Sequence, residues 1–208
     1  MPSRSVRTVR RLPTRRRIKP MRQGDLDGLC GVYAIINAIR WLCPSMSEAQ
    51  SQKLFVAIIA ARQSRPVRNP LAFIHRGLTR AGLTCLVDAA TSWVAINFGV
   101  EIEATWLAPN AKKRGPFAET WQQIARSVGT ESVAIIGLGN WIDHWTVVVD
   151  ASPRQLTLLD SDGMAALTRD RCTPQRNGKL HYRLELRAVL VVRRIGRLVP
   201  VGEQVLLF

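Results

Sequence analysis

The sequence predicts one α+β domain in which leading helices pack against an antiparallel sheet. Three observations support this fold class. Apolar residues in the first half recur at three- and four-residue spacing, which is the spacing of one helix face. From about Leu83 the chain changes to short runs rich in β-branched and aromatic residues, which are typical of strands. A length of 208 residues with 47% hydrophobic content is enough for one sizeable core.

The first predicted helix follows a glycine-containing loop at residues 24–28 and is strongly apolar. Its core face consists of five residues at helical spacing: Val32, Ile35, Ile36, Ile39 and Leu42. Asp27 is a possible N-cap, and Pro44 stops the helix at about Cys43. Because the small side chains of Ala34 and Ala38 allow a second face to pack closely as well, we expect this helix to be central and largely buried.

Two further helices are expected in the first half. Ser45 or Ser47 can cap a second helix after the proline. Asn69-Pro70 then repeats the start signal and Gly82 supplies a stop, so a third helix is expected between them.

Strands dominate the second half. They are expected at residues 83–87, 100–107, 133–137, 145–150, 156–160 and 181–192. One helix, over residues 117–128, interrupts them, and the apolar residues 201–208 can form a final strand or dock on a partner. No phosphate-binding glycine loop is recognisable, because the glycines at positions 137 and 139 precede no helix.

The formal net charge of +15 is concentrated near the N-terminus, where residues 1–24 contain nine arginines and lysines and no acid. We expect residues 1–22 to form a basic, disordered tail and residues 23–208 to form the domain. The alternative is a binding arm that attracts nucleic acid, another polyanion such as anionic lipid, or an acidic protein, with an affinity that falls as salt rises. The oligomeric state stays open.

The cysteine pattern and the hydropathy bear on compartment and class. Cys30, Cys43, Cys85 and Cys172 share no C-x-x-C spacing, which indicates a reducing, cytoplasmic compartment without a structural zinc, and no cofactor is expected. No apolar run reaches the roughly 20 residues of a membrane span, so we expect a soluble protein. Targeting is not expected, because the basic tail lacks an apolar signal core.

Cys30 is the residue whose position most strongly indicates chemistry. It lies in Gly28-Leu-Cys-Gly31, at the predicted start of the first helix. Unpaired N–H groups and the positive end of the helix dipole favour a thiolate there. Cys30 is therefore a candidate nucleophile, and the alternative is an inert, buried helix cysteine.

A cysteine nucleophile needs a base, and the sequence contains three histidines. His75 lies inside the third predicted helix among apolar residues, which indicates a structural role. His181 opens a late strand with no acid positioned to orient it. His144 follows a Gly-Leu-Gly-Asn-Trp loop and begins an apolar strand, where a side chain is exposed yet held by the sheet. We therefore select His144 as the base.

The acid that orients His144 can be chosen by strand geometry. Asp150 is about 20 Å away along the same strand, because each strand residue adds roughly 3.3 Å. A turn at residues 151–154 returns the next strand antiparallel, which brings Asp160 or its neighbour opposite His144 or the residue after it. Asp160 is the predicted partner, with Asp162 as the reserve.

Acyl transfer also needs hydrogen-bond donors for an oxyanion. The backbone N–H of Cys30 is one candidate. The side-chain amide of Gln23 is a second, because a glycine-containing loop can fold it over the nucleophile. Asn140 or Trp141, just before His144, can border the substrate cleft.

This ordered set resembles the papain-like cysteine peptidase superfamily. Gln23 precedes Cys30-Gly31 at a helix start, His144 leads an apolar strand, and Asp160 follows a hairpin. The segments Cys-Gly-Val-Tyr-Ala and His-Trp-Thr-Val-Val-Val, with sixteen residues from His144 to Asp160, are most similar to the C39-like group, which includes bacteriocin leader peptidases. The resemblance covers residues 23–163. Gln23 stands seven residues before Cys30, where the family usually has about six, so the loop must absorb one extra residue.

The resemblance implies a papain-like fold, with the nucleophile helix packed on the sheet, and thiol-dependent hydrolysis of a peptide or isopeptide bond in a protein or peptide substrate. Cys30 would attack the carbonyl, His144 would protonate the leaving amine and Asp160 would orient the imidazole, without a metal. Two alternatives stay open. The same residues could serve an acyltransferase, a deamidase or a protease for ubiquitin-like modifiers. The domain could also be a non-catalytic basic adaptor for nucleic acid or an acidic protein, although no nucleic-acid motif is recognisable.

Overall fold

The computed structural model describes residues 18–24, 27–63, 72–108, 117–140, 142–174 and 181–197. Helices dominate the first half of this part and strands the second. The helices are α1 (Cys30–Leu42), α2 (Glu48–Gln63), α3 (Ala72–Arg76), α4 (Arg80–Phe98) and α5 (Phe117–Ser127). The strands are β1 (Val100–Trp106), β2 (Ser132–Asn140), β3 (His144–Ala151), β4 (Gln155–Leu159), β5 (Ala166–Thr168), β6 (Cys172–Thr173) and β7 (Tyr182–Arg197).

These strands form one sheet in the spatial order β1, β7, β2, β3, β4, β5, with β6 beside β7. The pairs along that order are antiparallel, whereas β6 runs parallel to β7. The long strand β7 lies between β1 and β2, although it is the last strand in the described sequence. The combination of helices and an antiparallel sheet confirms the α+β class.

Apolar side chains cover both faces of the sheet, because neighbouring residues of a strand point to opposite faces. Val133 and Ile135 of β2 belong to the larger core, which contains α1, α2 and α4. Ala134 and Ile136 belong to a second core, which contains α5. Ten of the thirteen residues of α1 are buried, which confirms that this helix is central.

The start of α1 differs from the prediction, because Asp27 is not its N-cap. Leu29 occupies that position and makes no side-chain cap. The Asp27 carboxylate instead accepts hydrogen bonds from the backbone N–H groups of Gly24 and Leu29, at 3.1 and 3.0 Å. It stabilises the loop that leads into the helix, as Asp side chains commonly do in turns.

The predicted strand at residues 83–87 is wrong, because this segment lies inside α4. The buried residues of α4 recur at helical spacing along the element and include Leu83, Leu86, Val87, Ala90 and Val94. Thr79 caps the start by accepting a hydrogen bond from the N–H of Gly82, and Gly99 ends the helix with a left-handed φ of 59°. A window of five residues is too short to show the helical period of the whole element and contains neither of these caps.

The predicted third helix is also interrupted. α3 has five residues and is followed by Gly77, whose φ of 70° breaks the helix. Gly82 is therefore in the first turn of α4 and does not end a helix. Residues 69–71, where the start was predicted, lie outside the described residues.

Two local predictions are confirmed. Ser47 caps α2, because its Oγ accepts from the N–H of Gln50 while Oε1 of Gln50 accepts from the N–H of Ser47. The predicted turn before β4 is present, with the N–H of Ser152 donating to the carbonyl of Gln155 at 2.7 Å. β4 then returns antiparallel along β3.

The N-terminal residues of the described chain lie along α1. The side chain of Asn37 exchanges two hydrogen bonds with the backbone of Met21, and Arg40 donates to the carbonyl of Lys19. The rest of the predicted basic tail, residues 1–17, lies outside the described residues, as does the apolar segment 201–208.

One described helix, α4, has the length and mean hydropathy that crossing a bilayer requires, although it is only weakly apolar. Because it has 19 residues and contains Arg80 and Asp88, it does not contradict the expectation that no apolar run of roughly 20 residues is present. The buried residues of α4 pack into the larger core with α1 and α2, so the described helices contain no clear membrane span.

Candidate active site

Cys30 is the first residue of α1 and is almost fully buried, at 5% exposure. The loop before it is held from two sides. Asp27 binds the backbone of Leu29, and the N–H of Gly28 donates to the carbonyl of Ile74 in α3. The sulfur is therefore held in position at the positive end of the α1 dipole.

His144 is the first residue of β3 and interacts with both Asp160 and Cys30. Its Nε2 atom is 2.6 Å from Oδ2 of Asp160. The interaction with Cys30 is among those that raise the pKa of His144, and the Cys30 thiol donates to the carbonyl of Gly28 at 4.0 Å. Because Asp160 occupies Nε2, Nδ1 is the ring nitrogen that is left for Cys30. The three side chains thus meet at one site, with His144 interacting with both of the others.

The pKa of His144 is raised from 6.5 to about 10. Burial by itself lowers it, because a medium of low dielectric constant disfavours the charged imidazolium. The hydrogen bonds with Asp160 and Cys30, together with the negative charges of these two groups, outweigh the burial. A protonated, positively charged ring therefore lies next to the Cys30 sulfur at neutral pH.

Asp160 is held as a buried carboxylate, at 2% exposure. Burial raises its pKa, but the hydrogen bond with His144, the nearby Thr146 hydroxyl and the positive charge of His144 lower it below its usual value. The Oδ1 atom accepts from the backbone N–H groups of Asp162 and Met164, at 2.9 and 3.0 Å. Since Oδ1 is occupied, Oδ2 is the atom that binds the imidazole.

The register of the hairpin explains how Asp160 reaches His144. Extending the observed pairing of β3 with β4 places Asp160 opposite Thr146 and Ser161 opposite Trp145. His144 and Thr146 are two residues apart on one strand, so their side chains share a face of the sheet. Asp160 therefore reaches His144 diagonally and is not its directly facing partner.

A cleft of about 310 Å³ opens at Cys30 and His144, which is large enough for part of a peptide. Its described lining comes from α3 and the loop after it, from β2, from the start of β3 and from β7. The lining residues are Cys30, Arg76, Gly77, Leu78, Thr79, Gly137, Leu138, Gly139, Asp143, His144, Trp145, Arg183, Arg187 and Ala188.

Close packing around Trp145 shapes one wall of this cleft. A Cβ added at Gly31 would lie 2.8 Å from Cδ1 of Leu78, and one added at Gly137 would lie 3.1 Å from the ring of Trp145. Trp145 donates from Nε1 to the carbonyl of Leu78 at 2.8 Å and packs edge-on against Trp106. The indole thus ties the start of β3 to the segment before α4.

The remaining predicted site residues are Gln23, Asn140 and Trp141. The N–H of Gln23 donates to the carbonyl of Ser161 at 3.2 Å, and the Ser161 hydroxyl donates to Oε1 of Gln23 at 3.4 Å. Asn140 ends β2 with a left-handed φ of 76°. Neither Gln23 nor Asn140 is among the described residues that line the cleft, and Trp141 lies outside the described residues.

The other two histidines do not line the described part of the cleft. His75 lies at the end of α3 and is exposed, so it does not lie among apolar residues inside a helix, as the prediction of a structural histidine assumed. His181 is half-buried and its ring packs against Tyr182. Within the described residues, no group of three or more His, Cys, Asp or Glu side chains could hold a metal ion.

Three arginines of the cleft were not predicted from the sequence. Arg76 ends α3, whereas Arg183 and Arg187 lie on β7. One signal was available. Gly137 and Gly139 alternate along a strand, and glycines in a strand often mark the close approach of another group. The guanidinium of Arg183 occupies that space at Gly139.

No protein-family model matches this chain, and no curated protein is significantly similar to it. A function must therefore be inferred from the residues of the cleft.

Proposed function

We propose that this protein is a cysteine hydrolase with a papain-like site, which cleaves a peptide or isopeptide bond through Cys30, His144 and Asp160. One observation carries the proposal. The three side chains are far apart in the sequence, yet His144 is bound to Asp160 and interacts with Cys30, and Cys30 and His144 line the same cleft. A cysteine with only a packing role needs neither an imidazole nor an oriented carboxylate beside it.

The first half of the proposed reaction forms an acyl-enzyme. The Cys30 sulfur attacks the carbonyl carbon of the substrate, and the carbonyl electrons move to oxygen. As the intermediate collapses, the C–N bond breaks and the imidazolium of His144 gives its proton to the leaving amine. A thioester on Cys30 and a neutral His144 remain.

The second half releases the acyl group as a carboxylic acid. Neutral His144 takes a proton from water, whose oxygen attacks the thioester carbon. Collapse breaks the C–S bond and restores the Cys30 thiolate beside a protonated His144. Asp160 keeps Nδ1 of the ring directed at the sulfur in both halves, because its carboxylate holds Nε2.

The oxyanion that forms on the substrate needs hydrogen-bond donors near Cys30. The backbone N–H of Cys30 is one proposed donor, because it belongs to the first turn of α1, where N–H groups have no partner inside the helix. The sequence also predicts the side-chain amide of Gln23 as a donor, but this residue binds Ser161 and does not line the described part of the cleft, so the N–H of Cys30 carries this part of the proposal.

Cleavage of a peptide library tests the proposal and requires no identified substrate. The purified protein is incubated under reducing conditions with peptides from a digested proteome, and new termini are identified by mass spectrometry. We expect new termini from the wild type and from the control variant Cys85→Ala, and none from Cys30→Ala or His144→Ala.

Two outcomes contradict the proposal: new termini that persist in Cys30→Ala, and a wild type that produces none. Glutamine side chains that become deamidated or joined to amines, in peptides that stay uncut, would assign the same acyl-enzyme to a transfer or deamidation reaction.

A further inference from the structure

The described lining of the cleft carries more positive than negative charge. Arg76, Arg183 and Arg187 line it, and Asp143 is the one acidic residue in the described lining. Arg183 is half-buried, whereas the other three are exposed. Because these charges surround the same space as Cys30, they act on whatever a substrate presents next to the sulfur.

Arg183 forms part of the cleft wall. It pairs with Gly139 in the register of β7 and β2. A Cβ added at Gly139 would lie 2.8 Å from Nη2 of Arg183 and 3.0 Å from its Nε. The guanidinium therefore lies over the bare backbone of β2, in the space that a side chain would fill. Leu138, the residue before Gly139, pairs with His144, so the guanidinium is close to the strand pair that carries the base.

An irregularity in β7 brings Arg187 to the same cleft. β7 uses five steps, from Leu184 to Val189, to cover the two steps of β2 from Leu138 to Ile136. The extra residues bulge out of the ladder, and Arg187 is one of them. Bulges next to functional sites commonly redirect a side chain in this way.

We propose that the substrate presents a carboxylate beside the scissile bond and that Arg183 is its principal partner. The proposal rests on the hydrolase function proposed above and names its substrate class. That class is a peptide with an Asp or Glu side chain, or with a free α-carboxylate, next to the bond that is cut. Arginine suits the role because its planar fork binds a carboxylate through two parallel hydrogen bonds. Arg76 and Arg187 add attraction at longer range.

Alkylation of Cys30 by two reagents of different charge tests this inference without a natural substrate. Iodoacetate carries a carboxylate and iodoacetamide does not, and in both cases the sulfur displaces iodide. The ratio of the two rate constants at Cys30 is measured at neutral pH and low salt by mass spectrometry of the labelled peptide. We expect Arg183→Gln to lower the ratio of the iodoacetate to the iodoacetamide rate about fivefold.

Matched variants separate a local effect from the loss of one charge. Arg183→Lys should keep most of the ratio, because it keeps the charge. Arg126→Gln removes the same charge from the exposed surface of α5 and should leave the ratio unchanged. Asp143→Asn should raise the ratio, whereas Asp150→Asn, at the far end of β3, should not.

The outcomes distinguish the two proposals. If Cys30 reacts with iodoacetamide no faster than Cys85, the hydrolase proposal is wrong, and the substrate inference is wrong with it. If Cys30 reacts fast but the ratio is the same in the wild type and in Arg183→Gln, only the substrate inference is overturned.

The peptide library then distinguishes the two sources of the carboxylate. Enrichment of Asp or Glu beside the new termini, reduced in Arg183→Gln, assigns the carboxylate to a side chain. Cleavage confined to the end of each peptide, and lost when the peptides are amidated, assigns it to the chain terminus. If neutral amidated peptides are cleaved as often as acidic ones, the inference is overturned while the hydrolase proposal stands.

Discussion

Cys30 and Cys172 are buried to nearly the same degree, at 5% and 3% exposure, and both thiols donate to a backbone carbonyl, but the charges beside them are opposite. Cys172 begins β6, and its thiol donates to the carbonyl of Thr168 at 3.4 Å. Burial and the negative charge of Asp170 raise the pKa of Cys172 to about 12. Cys30 lies at a helix N-terminus beside the protonated ring of His144.

The difference predicts that the charges around a buried cysteine, and not its burial alone, decide whether it reacts. A buried thiol with an acid as its charged neighbour stays protonated, because both desolvation and the acid oppose a negative sulfur. Cys30 instead has an imidazolium and the positive end of a helix dipole beside its sulfur. Four predictions test this comparison.

The largest expected difference is in activity. Cys30→Ala should lower kcat/KM for a cleaved library peptide by at least about 10⁴-fold, because it removes the nucleophile. Cys172→Ala should keep most of the activity and lower the free energy of unfolding by about 1–2 kcal/mol, because it leaves a small cavity in the second core. Kinetics and urea unfolding of both variants measure these effects. Comparable activity losses in the two variants would contradict the prediction that Cys30 is catalytic and Cys172 is structural.

A second difference is expected in alkylation. At pH 7 a thiol whose pKa is about 12 is ionised in only about one molecule in 10⁵. We therefore expect iodoacetamide to label Cys30 at least about 10³-fold faster than Cys172 in the folded protein. Quantifying both labelled peptides over time measures the ratio, and guanidinium-unfolded protein, in which the two rates should converge, is the control.

The third prediction concerns the acid. Asp160→Asn should lower kcat about 100-fold, because the amide no longer holds the imidazolium in its charged, oriented form. Asp162→Asn is a matched control next to it, since the Asp162 side chain is exposed and only its backbone N–H contacts Asp160. A larger loss of kcat in Asp162→Asn than in Asp160→Asn would show that Asp162 is the acid that orients His144.

The fourth prediction concerns the pH dependence of stability. The pKa of His144 rises from 6.5 to about 10 on folding, so its contribution is complete below pH 6.5 and is lost as pH rises through about 10. The pKa of Cys172 rises from 9.0 to about 12, so it weakens the folded state only above about pH 9. The free energy of unfolding should therefore fall in two overlapping windows.

Urea unfolding between pH 6 and pH 9 separates these windows. His144→Ala should remove the fall between about pH 6.5 and pH 9, and Cys172→Ala should leave it in place. A wild type whose stability is constant over that range would show that the imidazolium of His144 does not stabilise the fold.

Local patterns in the sequence predicted most of the elements that carry the site. Helical spacing after Gly28 identified α1, and turn residues after Ala151 identified the hairpin of β3 and β4. The prediction failed where the decisive signal was spread over more residues. Residues 83–87 look like a strand when taken alone, but the cap at Thr79 and the glycine at Gly99 enclose a nineteen-residue helix.

The cleft contains residues that local sequence patterns could not predict. The sequence selected Cys30, His144 and Asp160 as residue types suited to one reaction, and the spacing of a hairpin was enough to relate the last two. It did not indicate Arg183, because β7 reaches β2 from the other end of the described chain. Nor did it separate Gln23 as an oxyanion donor from Gln23 as a partner of Ser161.

The sequence by itself therefore determined the helices with clear periods, the hairpin, and the cysteine at a helix start, because each depends on interactions between residues close along the chain. Tertiary structure alone decided that His144 meets Cys30, that Asp160 lies opposite Thr146, and which charges share the cleft. These features depend on how α1 packs on the sheet and on the insertion of β7 beside β2. Such contacts join distant segments, and only packing of the whole core sets their geometry.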